Sequence, residues 1–344
     1  MTPASAPALP IVDIGTDLDG CGRAIDRACR EVGFFLVTGH GVDPQLLPEL
    51  IALSHEFFAL PDSEKAQIAM PNGGRAWRGW FPLGGELTSG IPDGKEGIYF
   101  GSELAADHPR VIAGTPLHGA NLFPARPARL GPVVLEVMRA LETVGRRVLE
   151  AMASGLGLEH TWFATHLTSD PTVLFRIFRY PPDSDADADP DRDADRDADS
   201  DADAGHGDRW GVREHTDYGL VTVLAHDGTP GLQVHTPYGW VDAPPRTDAF
   251  VINVGDMLEK LTAGRYRSTP HRVRNASDHD RLSFPLFLDP SWDARVVSLP
   301  LDERRCPPAP ARRRWDAASP LAWDGSYGDY LTSKVARVFP HLTS

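Results

Sequence analysis

The chain has 344 residues, 41% of them hydrophobic and 24% charged, the balance of a soluble globular protein with a substantial core. No run approaches about 18 consecutive apolar residues, which excludes a membrane-spanning helix. Of the net charge of −14, residues 183–208 hold −10, through twelve Asp against two Arg, so the rest carries only −4.

The acidity is therefore local. No basic patch with interleaved aromatics is present, so nucleic acid is not an expected partner. Residues 1–15 lack a basic start followed by an apolar run, so we expect no secretory leader and a cytoplasmic protein. Three cysteines, Cys21, Cys29 and Cys306, are too few and too scattered for a disulfide scaffold or a cysteine-rich zinc site.

Pro10–Ile14 is a short apolar strand candidate. Residues 20–31 carry a helical pattern, and Gly33–Gly39 reads as a buried strand ending in a turn. Across 44–59, Leu46, Leu47, Leu50, Ile51 and Leu53 lie along a helix, with Pro61 past its end. Residues 62–125, richer in Gly and Pro, read as irregular. The longest helical pattern is 128–156, where Val134, Met138, Leu141, Val144 and Val148 share one side. From 173 onward the period changes to short β segments: Val173–Tyr180, Leu220–Ala225, Leu232–His235, Phe250–Val254, His271–Arg274 and Leu282–Leu288. Strands at this spacing predict a sandwich or barrel. A closing helix is expected at 326–338.

The segment 183–208 alternates Asp with Ala, Ser, Arg or Pro and has no large apolar residue. It cannot bury surface to offset its ordering entropy, so it is expected to be a disordered loop inserted within the domain. Its Asp-x-Asp pattern suggests calcium, but an EF-hand loop needs Gly at its sixth position and Glu at its twelfth, neither of which is in register.

The chemistry-bearing constellation is His215-Thr216-Asp217, followed by His271 in another β segment. Residues two apart on a strand share a face, so His215 and Asp217 are expected to aim at one point. Two His and one carboxylate on one face of iron(II) leave three positions open. Arg281-Leu282-Ser283 repeats the two-residue spacing: Arg281 offers a planar fork for a carboxylate, Ser283 a hydroxyl. Tyr180, ending the strand before the acidic insertion, can supply another hydroxyl. Asn253 and Asp256 read as structural, bonding loop backbone between strands, and His40 as a turn residue.

With these residues the chain resembles the iron(II)- and 2-oxoglutarate-dependent dioxygenases of the isopenicillin N synthase-like type. The resemblance runs from Leu9–Asp13 and Gly33–Val42 through His215–Asp217, Gly231–Val234, Asn253–Asp256, Ser268–Val273 and Arg281–Ser283. It implies a mainly β protein with flanking helices, whose core is a double-stranded β-helix, or jelly roll. We expect one domain over 1–344: a largely helical part over 1–170, the jelly roll over 171–300, and a C-terminal segment over 301–344. The resemblance implies iron(II) held by His215, Asp217 and His271. It implies 2-oxoglutarate held through its distal carboxylate by Arg281 and Ser283 with Tyr180, and oxygen as co-substrate.

Residues 79–93 are similar to a segment of bacterial members, the ethylene-forming enzyme among them, in which the matching Glu and Thr contact a guanidinium-bearing substrate. This implies Glu86, Thr88, Arg176, Tyr218 and Arg337 as substrate residues. The expected activity is hydroxylation, desaturation or cyclisation of a small molecule, an amino acid or derivative in secondary metabolism, by a monomer. Two alternatives stay open at this level. One is an oxidase of the same fold that needs no 2-oxoglutarate and uses Arg281 and Ser283 for its substrate's carboxylate. The other is a non-catalytic metal-binding module using the acidic loop.

Replacing 183–208 with a short Gly/Ser bridge is expected to leave the melting temperature unchanged, because loop-closure entropy depends only weakly on length. Differential scanning calorimetry of the deletion variant checks this.

Overall fold

A computed structural model of the chain describes residues 8–88, 90–182, 210–302 and 323–338; the acidic insertion, Cys306 and the side chain of Arg337 lie outside the described residues. In chain order the elements begin with β1 (Ile11–Asp13), α1 (Leu18–Glu31), β2 (Phe34–Thr38), α2 (Leu46–Phe58) and α3 (Asp62–Lys65). Next come β3 (Gly79–Phe81), β4 (Leu87–Thr88), β5 (Ile91–Pro92), β6 (Glu96–Gly101), α4 (Pro109–Ile112), α5 (Leu130–Gly155) and α6 (Trp162–His166). The β-rich part holds β7 (Pro171–Tyr180), β8 (Val212–His215), β9 (Val221–His226), β10 (Leu232–Thr236), β11 (Gly239–Asp242) and β12 (Phe250–Val254). It closes with α7 (Asp256–Leu261), β13 (His271–Val273), β14 (Arg281–Ser291) and α8 (Tyr327–Val338).

An eight-stranded sheet runs β1-β2-β12-β9-β14-β7-β6-β3, and a four-stranded sheet runs β11-β10-β13-β8. They face each other as a jelly roll. The period of two sorts side chains between two cores. On β2, Phe35 and Val37 point toward the helices, while Phe34 and Leu36 enter the space between the sheets. On β7, Phe175 and Ile177 face the helices, and Phe178 and Tyr180 the inter-sheet space.

The helical layer is anchored by α5, whose 26 residues span about 39 Å at 1.5 Å per residue. Its apolar side packs on α1, α2, β9 and β14. Gly22 of α1 and Gly155 of α5 set the closeness of that crossing. A Cβ on Gly22 would lie 2.7 Å from the Ala151 carbonyl oxygen, and one on Gly155 2.5 Å from that of Gly22. Cys21 and Cys29, both buried free thiols, lie on the inner side of α1. Among the described residues no helix is long and apolar enough to cross a membrane.

One expectation is corrected. The stretch 62–125 is not irregular throughout. β3 and β6 extend the large sheet beyond β7, with Tyr99 opposite Arg176 and Glu96 opposite Arg179, and β4 and β5 form a separate hairpin. The Gly- and Pro-rich composition hides them because they are short, and β6 is held by pairing with β7, a long-range contact. Through these strands the N-terminal part walls the cavity described below.

Phe284, fully buried on β14 between β7 and β9, fills the centre of the helix-facing core. Phe284→Ala is expected to cost about 3–5 kcal/mol, from lost transfer free energy and the cavity left behind. A urea titration reads this as a lowered midpoint.

Candidate active site

His215 ends β8 and His271 begins β13, and the two are direct partners across that antiparallel pair. Their ring centroids lie 4.2 Å apart. Each ring is aimed by a carbonyl two residues back: Nδ1 is 2.8 Å from the Arg213 oxygen in His215, and 3.2 Å from the Thr269 oxygen in His271. A carbonyl only accepts, so Nδ1 carries the proton of the neutral ring and Nε2 keeps its lone pair. Both Nε2 atoms turn toward Asp217 Oδ1, at 3.9 and 3.8 Å.

Asp217 is not on the strand. β8 stops at His215, and the carboxylate comes from the following turn, so strand alternation is not what brings His215 and Asp217 together. The turn is held from outside: the Asp256 amide at the start of α7 donates to the Asp217 carbonyl at 2.7 Å. The carboxylate is oriented by the large sheet. Oδ2 accepts from Asn253 Nδ2 at 2.7 Å and from the Thr222 hydroxyl at 2.5 Å, which leaves Oδ1 to face the imidazoles.

Charge states follow. Burial, and for His271 also the adjacent His215, pushes both imidazoles below their usual range. Burial works against an ionised Asp217, but His271, His215 and the bonds from Asn253 and Thr222 outweigh it and hold the carboxyl below the usual range. Two neutral nitrogen lone pairs and one carboxylate oxygen thus lie within 4.8 Å of one another, a donor set that suits a divalent transition metal. It covers one side only, so further coordination positions face the cavity.

The cavity is about 660 Å³ and runs between the sheets. At its inner end Arg281 is 2% exposed, yet its Nε and Nη1 have no hydrogen-bond partner among the described residues. Burial lowers its pKa, opposed by Tyr180 and Asp227. A buried guanidinium with open donors fits a carboxylate. Tyr180 lies opposite Arg281 in the β7–β14 register, and the Ser283 hydroxyl donates to the Tyr180 hydroxyl at 3.4 Å. His226, opposite Ser283 on β9, is lowered to about 4 by burial and then by Arg281. It is neutral and adds no second cation.

The cavity's outer wall contains the other expected residues, in altered company. Glu86 accepts from the Tyr99 hydroxyl through Oε1 at 2.6 Å, and its buried Oε2 is ion-paired with Lys95 Nζ at 3.1 Å. The Thr88 hydroxyl is committed to Asp93 Oδ2, at 2.9 Å. Arg176 lines the cavity, but its Nη1 donates to the Phe100 and Phe175 carbonyls, and its guanidinium lies 3.4 Å from the Tyr99 ring centroid. Arg176 therefore shapes this wall through Tyr99. Tyr218 lines the cavity, with Lys334 Nζ 5.3 Å from its ring centroid.

Several contributors escape sequence reasoning. Asn253 was legible, but as a loop residue and not as a partner of the Asp217 side chain. Thr222, Lys95, Tyr99, Asp289 and Lys334 carry no local pattern that marks them. Lys95 is buried between Glu86 and Asp93. Burial works against its charge, but the two carboxylates outweigh it and raise its pKa.

Residues 9–126 match the family model described as the N-terminal part of non-haem dioxygenases in morphine synthesis, and residues 171–290 match the 2OG-Fe(II) oxygenase superfamily. The chain is 42% identical to a probable iron/ascorbate oxidoreductase of Dictyostelium discoideum, over 97% of this chain and 95% of that one. It is 37% identical to a 1-aminocyclopropane-1-carboxylate oxidase of Dictyostelium mucoroides, over 96% and 95%. It is 32% identical to a homoarginine-6-hydroxylase of Glycine max, over 93% and 89%. The chain belongs to the 2OG-Fe(II) oxygenase superfamily and is a non-haem iron(II), 2-oxoglutarate-dependent dioxygenase, with oxygen as its oxidant.

Asn253→Ala removes a donor that orients Asp217 without touching the three donor atoms. It is expected to weaken iron(II) binding about 10- to 100-fold, the usual cost of losing an outer-sphere partner. Anaerobic metal titration measures it, and circular dichroism checks that the fold is kept.

Proposed function

We propose that this dioxygenase oxidises a small amino acid or amino-acid derivative bearing a cationic group, using His215, Asp217 and His271 as its iron(II) ligands. In this reading Arg281 pairs with the distal carboxylate of 2-oxoglutarate, and Ser283 and Tyr180 add hydroxyl donors. The open donors on buried Arg281 support that assignment. Iron(II), when bound, supplies the redox chemistry by which 2-oxoglutarate and oxygen become succinate and carbon dioxide, with one oxygen atom passing to the substrate.

The observation that carries the substrate class is Glu86. Its carboxylate lines the cavity, with Oε1 accepting from Tyr99 and Oε2 ion-paired with a lysine that also serves Asp93. Behind it, Asp93 and Glu86 share one ammonium, that of Lys95. Burial raises the Asp93 pKa, opposed by Lys95 and reinforced by Glu86. A guanidinium or ammonium head entering here would meet in Glu86 a carboxylate whose lysine is shared with Asp93, and would add a charge-assisted donor to it. Tyr99, stacked on Arg176, and Lys95 fix the carboxylate's orientation. Because the cationic head is held away from the metal, the length of the substrate selects which C–H bond is presented. The homoarginine and aminocyclopropane-carboxylate named for two relatives are both amino acids, which agrees with this class.

Succinate formation over a panel of amino acids, guanidino compounds and neutral apolar molecules tests the reading, with L-homoarginine as the first probe. Glu86→Gln is expected to raise KM for the cationic substrate about 10-fold or more, with that for 2-oxoglutarate unchanged. Arg281→Ala is expected to raise the 2-oxoglutarate KM about 30- to 1,000-fold, from about 2–4 kcal/mol of lost charge-assisted pairing. Turnover stimulated only by neutral molecules and indifferent to Glu86→Gln would refute the substrate class. An unchanged 2-oxoglutarate KM would refute the role of Arg281.

A further inference from the structure

One side of α8 forms part of the cavity wall, through Leu331, Lys334, Val335 and Val338, and the helix also packs against β4. The same helix directs two buried tyrosines inward, 0% and 4% exposed, each donating its hydroxyl to a buried carboxylate. Tyr327 donates to Asp289 Oδ2 at 2.5 Å, and Tyr330 to Asp256 Oδ2 at 3.2 Å. Neither tyrosine is among the donor atoms or the cavity lining.

Both carboxylates continue to the metal-donor loops. Asp289 Oδ1 accepts from the Leu220 amide at 3.3 Å, at the end of the turn that presents Asp217. Asp256 reaches the same turn by its own backbone, through its amide bond to the Asp217 carbonyl at 2.7 Å. Its Oδ1 accepts from the Ser268 hydroxyl at 2.7 Å, beside Thr269, whose carbonyl aims the His271 ring. The turn has no slack: a Cβ on Gly219 would lie 1.4 Å from Asp289 Oδ1, and one on Gly255 2.4 Å from the Gly219 carbonyl oxygen. Asp289 thus abuts Gly219 directly, and Asp256 is tied to the same turn through its backbone.

We propose that Asp289 and Asp256 are positioning residues, through which Tyr327 and Tyr330 couple the seating of α8 over the cavity to the geometry of the His215–Asp217–His271 centre. The seating of one helix, set partly by what lies against Leu331, Lys334 and Val335, is transmitted by two O–H···carboxylate bonds to both loops that present donors. Deleting one hydroxyl leaves a buried carboxylate short of a donor, and its backbone partners must readjust. The inference rests on the metal-centre assignment made above.

The test uses full-length protein loaded with cobalt(II), whose visible d–d bands report ligand geometry independently of turnover. Tyr330→Phe and Tyr327→Phe are each expected to shift those bands and weaken cobalt(II) binding about 3-fold or more, and the double variant about 10- to 100-fold. Ser326→Ala is the control. It removes the hydroxyl that caps the start of α8 by accepting from the Asp329 amide, and it touches neither carboxylate. It is expected to lower the melting temperature with bands and affinity unchanged. If the tyrosine variants lose thermal stability yet keep the wild-type bands and affinity, the two bonds are structural only and the proposal is overturned. If the double variant does not fold, the single hydroxyl deletions decide by the same criterion. A wild type whose cobalt(II) binding is indifferent to His215→Ala would overturn the metal assignment, and this proposal with it. Normal loss of binding in His215→Ala with unaltered tyrosine variants would overturn this proposal alone.

Discussion

The pairing of His215 with His271 across β8 and β13 is the constraint on which the active site depends. Register brings two imidazoles from segments more than fifty residues apart to a centroid distance of 4.2 Å. Backbone carbonyls then choose the tautomer, and the two Nε2 atoms converge on one carboxylate oxygen. A slip of β13 by one residue would send His271 to the other face of the sheet. The large sheet supplies the remaining restraint, because Thr222 on β9 and Asn253 on β12 take up Asp217 Oδ2. The donor set thus spans the seam between the two sheets and exists only while they face each other.

Burial gives the site its chemistry as well as its shape. The same desolvation that keeps both imidazoles neutral leaves Arg281 with open donors at the inner end of the cavity, while Glu86 at the outer wall shares the Lys95 ammonium with Asp93. Charged groups thus lie at separate ends of one cavity whose walls are mostly apolar. In a low-dielectric space such groups discriminate strongly, since a wrong partner leaves a buried charge uncompensated. The outer wall is more elaborate than a single carboxylate. Arg176 stacks on Tyr99, Tyr99 donates to Glu86, and Lys95 lies between Glu86 and Asp93.

Elements remote in sequence complete this arrangement. β3 and β6 widen the large sheet, the β4–β5 hairpin carries Thr88 beside Glu86, and α8 returns from the far end of the chain to pack against β4. The N-terminal and C-terminal parts are therefore not ornaments on a self-sufficient jelly roll. They supply part of the cavity wall, whereas the jelly-roll strands carry His215, His271 and Arg281.

What the amino-acid sequence determined by itself is the part whose signal is local. Amphipathic spacing marks α1, α2 and α5, and β-rich runs mark β7, β9, β12 and β14. The Arg281–Ser283 spacing places two side chains on one face of a strand, as found. His215, Asp217 and His271 were legible as a donor set from residue type and context, although the turn, and not strand alternation, delivers Asp217. Only the tertiary structure decided the rest. Lys95, Tyr99, Thr222 and the Tyr327–Asp289 and Tyr330–Asp256 pairs join positions from 5 to 74 residues apart with no periodic pattern between them. A buried polar side chain takes its role from whichever partner the packing brings within hydrogen-bond reach, and that partner is set by sheet register and helix docking, not by neighbours along the chain.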